Sequence, residues 1–105
     1  ALFLSPCIET SLDGGKAMGE VLDLVPMDYA CFGNHEFDVG VDGLQRRTRS
    51  FKGKWLNGNI TSPKFHGHDG KELPQYDILE VGDRKVCLTG VTTDNLDIYR
   101  PGRFQ

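Results

Sequence analysis

A dense polar turn, Gly33-Asn34-His35-Glu36-Phe37-Asp38, directly follows a short apolar run at residues 29–32. The apolar run is too brief for a helix and is bounded by glycine, which predicts a buried strand. Residues 42–51 then predict a helix with a basic face, which ends near Gly53. This order is typical of an α/β layer, in which ligands bind beyond the carboxyl ends of the strands. We call residues 33–38 the GNHEFD turn.

The segment before this strand predicts an amphipathic helix over residues 13–25. Its apolar positions recur at three- and four-residue steps opposite charged residues, and they are Ala17, Met18, Val21, Leu22 and Val25. Ser11 or Asp13 can cap the start of this helix, and Pro26, which cannot continue a helix, ends it.

The segment after the basic helix predicts strands joined by a long loop. Residues 55–57 predict a strand, residues 61–74 a surface loop, and residues 76–81 and 85–91 a hairpin around Gly82-Asp83. Trp55 is assigned to the core or to an interface. Helix and strand in alternation followed by a hairpin predict an α/β fold. Its mixed β-sheet, flanked by helices, begins parallel and gains an antiparallel component.

Length and composition limit the size of the fold and the classes of partner that are expected for this chain. It has 105 residues, the size of one small domain, and 38% of them are apolar, which suffices for a modest core. A formal charge of -3 argues against a basic surface for a nucleic-acid polymer. The sequence has no apolar run near the roughly 18 to 20 residues of a membrane-spanning helix, so no membrane span is expected.

The cysteines and a sequon point to different compartments. Cys7, Cys31 and Cys87 are odd in number and widely spaced, which predicts buried free thiols in a reducing compartment. Residues 59–61 (Asn-Ile-Thr) form a glycosylation sequon, which favours secretion. The sequence therefore leaves localisation unknown.

Three side chains of the GNHEFD turn carry groups suited to catalysis. Asn34 offers an amide oxygen, His35 an imidazole that exchanges protons near neutral pH, and Asp38 a carboxylate three residues on. A carboxylate at this spacing can fix the histidine tautomer and stabilise the protonated ring, which suits an acid facing a phosphate or leaving oxygen. The structural alternative is a strand-to-helix connection in which Asn34 is left-handed and Asp38 caps the next helix.

The GNHEFD turn resembles the Gly-Asn-His-Glu block of calcineurin-like metallophosphoesterases. Its Phe-Asp ending is similar to the branch that contains 5'-nucleotidases and cyclic-nucleotide phosphodiesterases. Further segments agree with that branch in order and spacing, namely residues 3–6, 15–18, 28–32, 55–59 and 85–91. The resemblance covers most of the chain up to about Asp94. It implies that residues 1–105 are a partial metallophosphoesterase catalytic domain, taken from a four-layer α/β/β/α sandwich.

The resemblance also implies a role for each residue of the turn. Asn34 matches an amide ligand of one of two divalent metal ions, of zinc, manganese or iron type. His35 matches the residue that stabilises the transferred phosphoryl group or leaving oxygen, and Asp38 matches the carboxylate that pairs with it. In this family, two metals about 3.5 to 4 Å apart activate a hydroxide that attacks phosphorus. Glu36 and Phe37 are assigned structural roles, and the implied substrate is a phosphomonoester or nucleotide.

Most of the family's metal ligands lack a counterpart in this sequence. Ala1-Leu2 stands where the family has Gly-Asp, and the family's Asp-x-His pair and later histidines are expected outside these 105 residues. With Asn34 as the matched ligand, the isolated chain is expected not to bind both metals fully and to be inactive alone. Flanking segments of the same enzyme are expected to supply the rest.

Two other interpretations stay open. The chain could be a non-catalytic α/β binding or assembly module that retains the turn. Alternatively, His66, His68 and Asp69 could form an independent metal site, although a solvated loop is the simpler interpretation. The arginines within residues 46–49 could contact a phosphate, but on one predicted helix they more simply form a solvated face.

Overall fold

The computed structural model describes residues 13–25, 27–95 and 97. Over these residues, helices alternate with short strands, and a hairpin follows, which confirms the predicted α/β class. The elements are α1 (Lys16–Leu24), β1 (Tyr29–Cys31), a 3-10 helix (His35–Val39), α2 (Gly40–Ser50), β2 (Lys54–Leu56), β3 (Tyr76–Val81) and β4 (Arg84–Thr89).

Strands β1 and β2 pair in parallel, with Ala30 opposite Trp55. A parallel pair needs a crossover connection, which the 3-10 helix and α2 supply here. The carboxyl ends of both strands therefore lie at one edge. As a result, the GNHEFD turn after β1 and residues 57–59 after β2 emerge side by side.

Strands β3 and β4 form the predicted hairpin, with Val81 opposite Arg84 across the Gly82-Asp83 turn. Gly82 has a φ of 64°, the left-handed conformation that tight hairpin turns of this kind need. In the described part of the chain, the hairpin and the β1–β2 pair are two separate two-stranded sheets. The parallel and antiparallel components are thus both present, without a hydrogen-bonded ladder between them.

The core is built mainly from aromatic rings. The ring of Phe32 lies 4.9 Å from that of Trp55 and 5.0 Å from that of Phe65, measured between centroids. Trp55 is 1% exposed, which confirms its assignment to the core. Rings at these separations and tilts attract one another in addition to burying apolar area.

The segment at residues 61–74 is not wholly a surface loop. Phe65 and Leu73 are buried, and the Leu73 N–H donates to the Phe65 carbonyl at 3.0 Å. The surface prediction is therefore wrong for these two positions, because two apolar residues in an otherwise polar segment fold back onto the core.

The N-cap of helix α1 is Gly15 and not the predicted Asp13, although the Asp13 carboxylate still bonds backbone N–H groups at the start of the helix. The side chain of Asp13 accepts hydrogen bonds from the backbone N–H groups of Ala17, at 2.8 Å, and Gly15, at 2.9 Å. These hydrogen bonds lower the pKa of Asp13 below its ordinary value, and the bond from Ala17 has the largest effect. Ser11 and Pro26, the other predicted boundaries, lie outside the described residues.

The prediction of buried cysteines is wrong for Cys31 and Cys87, which are exposed free thiols. Cys87 lies opposite Ile78 on the hairpin, and Ile78 is itself 56% exposed. Apolar neighbours in sequence did not bury these thiols, because burial depends on which distant elements cover each side chain. Cys7 lies outside the described residues.

Apolar side chains also remain exposed on α1 and on the hairpin. Leu24 is 83% exposed and Val81 57%, and none of the residues of α1 is buried. Within the described ranges, each helix is too short or too polar to cross a membrane. On α2, Arg46 and Arg49 are exposed, in agreement with the solvated face predicted for this helix, whereas Arg47 is half-buried.

Candidate active site

After β1 ends, the backbone of the GNHEFD turn adopts an ordinary right-handed helical conformation at Asn34. Asn34 has φ −69° and ψ −28°, and the 3-10 helix begins at the next residue. Helix α2 follows with Val39 as its N-cap, so Asp38 lies one residue before the cap. The structural alternative, a left-handed Asn34 with Asp38 as the helix cap, is therefore wrong on both counts.

His35 and Asp38 form a close pair within the 3-10 helix. The Nδ1 atom of His35 lies 3.1 Å from Oδ2 of Asp38. Three residues per turn bring positions i and i+3 onto one side of a 3-10 helix, which explains the contact. The Asp38 side chain is 8% exposed and the His35 side chain 33%. An Nδ1–H that donates to this carboxylate leaves Nε2 as the nitrogen that can face a substrate.

Glu36 and Phe37 turn inward between these two residues. Phe37 is 1% exposed, and its ring lies 5.9 Å from that of Phe32 between centroids. Glu36 is fully buried, and its Oε2 accepts the Gly33 N–H at 2.8 Å. Among the described residues, the other carboxylate oxygen, Oε1, has no hydrogen-bond partner. The burial of both side chains agrees with the structural roles assigned to them.

Two residues to which the sequence reasoning gave no role at this site lie behind the turn, Thr92 against the residue before it and Asn59 against Thr92. The hydroxyl of Thr92 donates to the Phe32 carbonyl at 3.2 Å. The side-chain amide of Asn59 pairs with both backbone groups of Thr92, accepting at 2.9 Å and donating at 2.6 Å. Asn59 and Thr92 each follow the end of a strand, and this position was the available signal.

The described residues contain no group of three or more His, Cys, Asp or Glu side chains that could hold a metal ion. In the proposed histidine site, Nδ1 of His68 contacts the Arg49 carbonyl at 2.9 Å, and Asp69 accepts the Lys71 N–H at 3.0 Å. His66 instead takes part in a backbone bridge with residue 72. The three side chains do not converge, so the independent metal site is not formed by these residues.

Asn34 is half-buried at the start of the 3-10 helix, two residues after Phe32. Its amide oxygen is a ligand type that suits a hard divalent cation. One such oxygen is not a metal site, because stable sites need several protein ligands. The described residues thus offer a single metal ligand of the predicted kind and do not by themselves fit a two-metal centre.

No protein-family model matches the chain. The NAD 5'-nucleotidase of Haemophilus influenzae is 34% identical to it over 85 residues, which cover 81% of this chain and 14% of that protein. An apyrase of Tabanus yao is 33% identical over 88 residues, which cover 80% of this chain and 15% of that protein. The chain therefore spans about one-seventh of the length of these curated relatives.

A solved structure shares the fold. The sulfate thiohydrolase SoxB of Thermus thermophilus superposes with a TM-score of 0.77 at 21% identity, over 98% of this chain and 18% of that chain. The shared fold extends well beyond the GNHEFD turn, so the likeness does not rest on one short motif. By sequence and by fold, the chain belongs to the 5'-nucleotidase-type metallophosphoesterases, of which it matches one segment.

Proposed function

We propose that residues 1–105 are part of the catalytic domain of a phosphoester hydrolase that acts on nucleotides. The pairing of His35 with Asp38 carries the proposal, because a partly exposed imidazole is backed by an almost buried carboxylate at 3.1 Å. The pair lies beyond the carboxyl end of β1, where α/β folds bind their ligands. Relatives named as a 5'-nucleotidase and an apyrase support nucleotides as the substrate class.

In this proposal His35 acts on the substrate and Asp38 acts on His35. With Nδ1 held by the carboxylate, the ring keeps one tautomer and one orientation. In the protonated ring Nε2 also carries a hydrogen, and it then donates a hydrogen bond to the transferred phosphoryl group or to the leaving oxygen, where negative charge develops. The uneven exposure of the two side chains suits these roles, since the substrate must reach only the imidazole.

Asn34 would be one ligand of a two-metal centre, and the other ligands would come from outside the described residues. Divalent ions of zinc, manganese or iron type would supply the activated nucleophile when bound. Because the described residues do not complete such a site, we expect the missing ligands in flanking segments of the same enzyme.

The test uses the protein expressed from the complete gene and supplied with manganese or zinc. Hydrolysis of a nucleoside 5'-monophosphate is measured for the wild type and for His35→Ala and Asn34→Ala. The control is His68→Ala, which removes an exposed imidazole that contacts the Arg49 carbonyl. We expect turnover by the wild type and the control and its loss in the two turn variants. A wild type without turnover favours the non-catalytic binding or assembly module.

A further inference from the structure

The peptide group that joins Phe32 to Gly33 is held on both sides by side chains. Its carbonyl oxygen accepts a hydrogen bond from the Thr92 hydroxyl at 3.2 Å. Its N–H donates to Oε2 of Glu36 at 2.8 Å. A peptide group is planar, so hydrogen bonds to its oxygen and from its hydrogen together oppose rotation of the plane about the line that joins its two Cα atoms. This plane leads from β1 into the GNHEFD turn, one peptide group ahead of the plane that joins Gly33 to Asn34.

Thr92 is itself held in place by Asn59. The Asn59 Oδ1 accepts the Thr92 N–H at 2.9 Å, and its Nδ2 donates to the Thr92 carbonyl at 2.6 Å. Close by, the Gly58 N–H donates to the Gly90 carbonyl at 2.6 Å. Asn59 follows β2 and Thr92 follows β4, so these bonds tie the ends of three strands together at the edge that bears the GNHEFD turn.

Glu36 and Thr92 are suited to orienting the turn and not to touching a substrate. Glu36 is fully buried, and one of its oxygens is occupied by the Gly33 N–H. Thr92 is half-buried, and its single hydroxyl hydrogen is donated to the Phe32 carbonyl. Small displacements of reacting groups reduce rates strongly, so a fixed peptide plane before His35 has a direct use in catalysis.

We propose that Thr92, Glu36 and Asn59 are positioning residues for Asn34 and His35. The inference rests on the proposed function. Thr92 and Glu36 clamp the peptide group between residues 32 and 33, and Asn59 holds Thr92 against it. Removing the clamp lets the turn rotate relative to β1, which moves the amide of Asn34 and the imidazole of His35 together.

The first experiment measures amide hydrogen exchange of Gly33 in the protein expressed from the complete gene, relative to Leu44 in the buried face of α2. Thr92→Val keeps the shape of threonine but removes the hydroxyl, and Thr92→Ser keeps the hydroxyl. Because one hydrogen bond is lost, we expect exchange of Gly33 to be about 3- to 10-fold faster in Thr92→Val and little changed in Thr92→Ser. Thr61→Val, at an exposed threonine, is the matched control.

If Thr92→Val does not fold, amide exchange of Leu44 becomes faster as well. In that case a second pair of variants tests the clamp. Glu36→Gln keeps an acceptor oxygen for the Gly33 N–H, whereas Glu36→Met has a similar length without one. We expect faster Gly33 exchange in Glu36→Met than in Glu36→Gln. Equal exchange in both members of either pair overturns the clamp.

The second experiment measures steady-state hydrolysis by the protein from the complete gene. A positioning role predicts a kcat about tenfold lower in Thr92→Val, a KM within about twofold of the wild type, and recovery in Thr92→Ser. If the wild type is active and Thr92→Val has the same kcat, the positioning role is wrong and the proposed function stands. A wild type without turnover overturns the proposed function, while the exchange measurement still decides whether the clamp exists.

Discussion

The imidazole Nδ1 of His35 lies 3.1 Å from Oδ2 of Asp38, three residues further along the same 3-10 helix. The carboxylate is almost buried, whereas a third of the imidazole side chain is exposed. The fold thus fixes the partner of the histidine and leaves the ring accessible. This asymmetry suits the proposed roles, in which His35 acts on a substrate and Asp38 orients His35.

Removing either member of this pair is expected to lower kcat for phosphoester hydrolysis. We expect a loss of about 100-fold or more for His35→Ala, because an acid or hydrogen-bond donor at the leaving oxygen contributes on this scale. Asp38→Asn keeps the size of the side chain but removes its charge, so we expect a smaller loss. Steady-state kinetics with the metal-loaded protein from the complete gene measures both, and activity equal to the wild type in His35→Ala contradicts the assignment.

Chelation is expected to remove hydrolysis from the protein expressed from the complete gene, and added manganese or zinc to restore it. The isolated 105-residue chain is expected to show no measurable turnover of p-nitrophenyl phosphate with the same metals. The physical reason is the ligand count, since the described residues form no group of three or more metal-binding side chains.

Calorimetric titration of the isolated chain with zinc separates the possible sites. Weak binding that does not depend on His68 is the expected result. Tight binding that is lost in His68→Ala and kept in His35→Ala would instead establish the independent site at residues 66–69.

Asp77 joins the hairpin to the parallel pair and makes stability depend on pH. Its Oδ2 accepts the Tyr29 hydroxyl at 2.7 Å and the Lys54 ammonium at 2.9 Å. These hydrogen bonds lower the pKa of Asp77 below its ordinary value of 3.8, and the bond from Tyr29 has the largest effect. A lowered folded-state pKa stabilises the fold above the unfolded value, and this contribution disappears as pH falls through the folded value. We therefore expect Asp77→Asn to lower Tm at neutral pH and to match the wild type well below pH 3.8.

The stabilisation by the Asp77 contacts is also expected to disappear at alkaline pH. Hydrogen bonding to Asp77 raises the pKa of Tyr29 above 10.0 and that of Lys54 above 10.5. Raised values stabilise the fold below the unfolded pKa and cease to do so as pH rises through the folded value. The difference in Tm between the wild type and Asp77→Asn is thus expected to shrink above about pH 10.5. Glu80→Gln, at an exposed position of the same strand, keeps the Asp77 contacts and is therefore expected to retain both pH dependences of the wild type.

Gly90 is expected to tolerate no side chain. A Cβ at this position would overlap Cβ of Cys31 and would lie 2.7 Å from the Leu56 carbonyl oxygen. We expect Gly90→Ala to reduce the free energy of unfolding by about 1 to 3 kcal/mol, because the ends of β1, β2 and β4 must separate. Gly67→Ala is the matched control, since its nearest atoms would be 3.5 Å away. Urea unfolding of both variants measures the difference, and equal midpoints contradict this close packing.

Local patterns in the sequence were sufficient for the order of elements. The spacing of apolar residues predicted α1, and Gly82-Asp83 predicted the hairpin, since both signals depend on neighbours along the chain. The same reasoning failed for Cys31, Cys87 and Phe65. Whether such a side chain is buried depends on which distant element covers it, and a short sequence window carries no such information.

The sequence by itself determined the kinds of chemical groups in the turn and the identity of the family. Asn34, His35 and Asp38 lie within five consecutive residues, so their proximity needed no tertiary information. Only the tertiary structure decided what holds them. Thr92 reaches the Phe32 carbonyl across 60 residues of sequence, and this contact exists because the ends of β1, β2 and β4 meet at one edge. Strand pairing over such separations is set by how the whole chain packs.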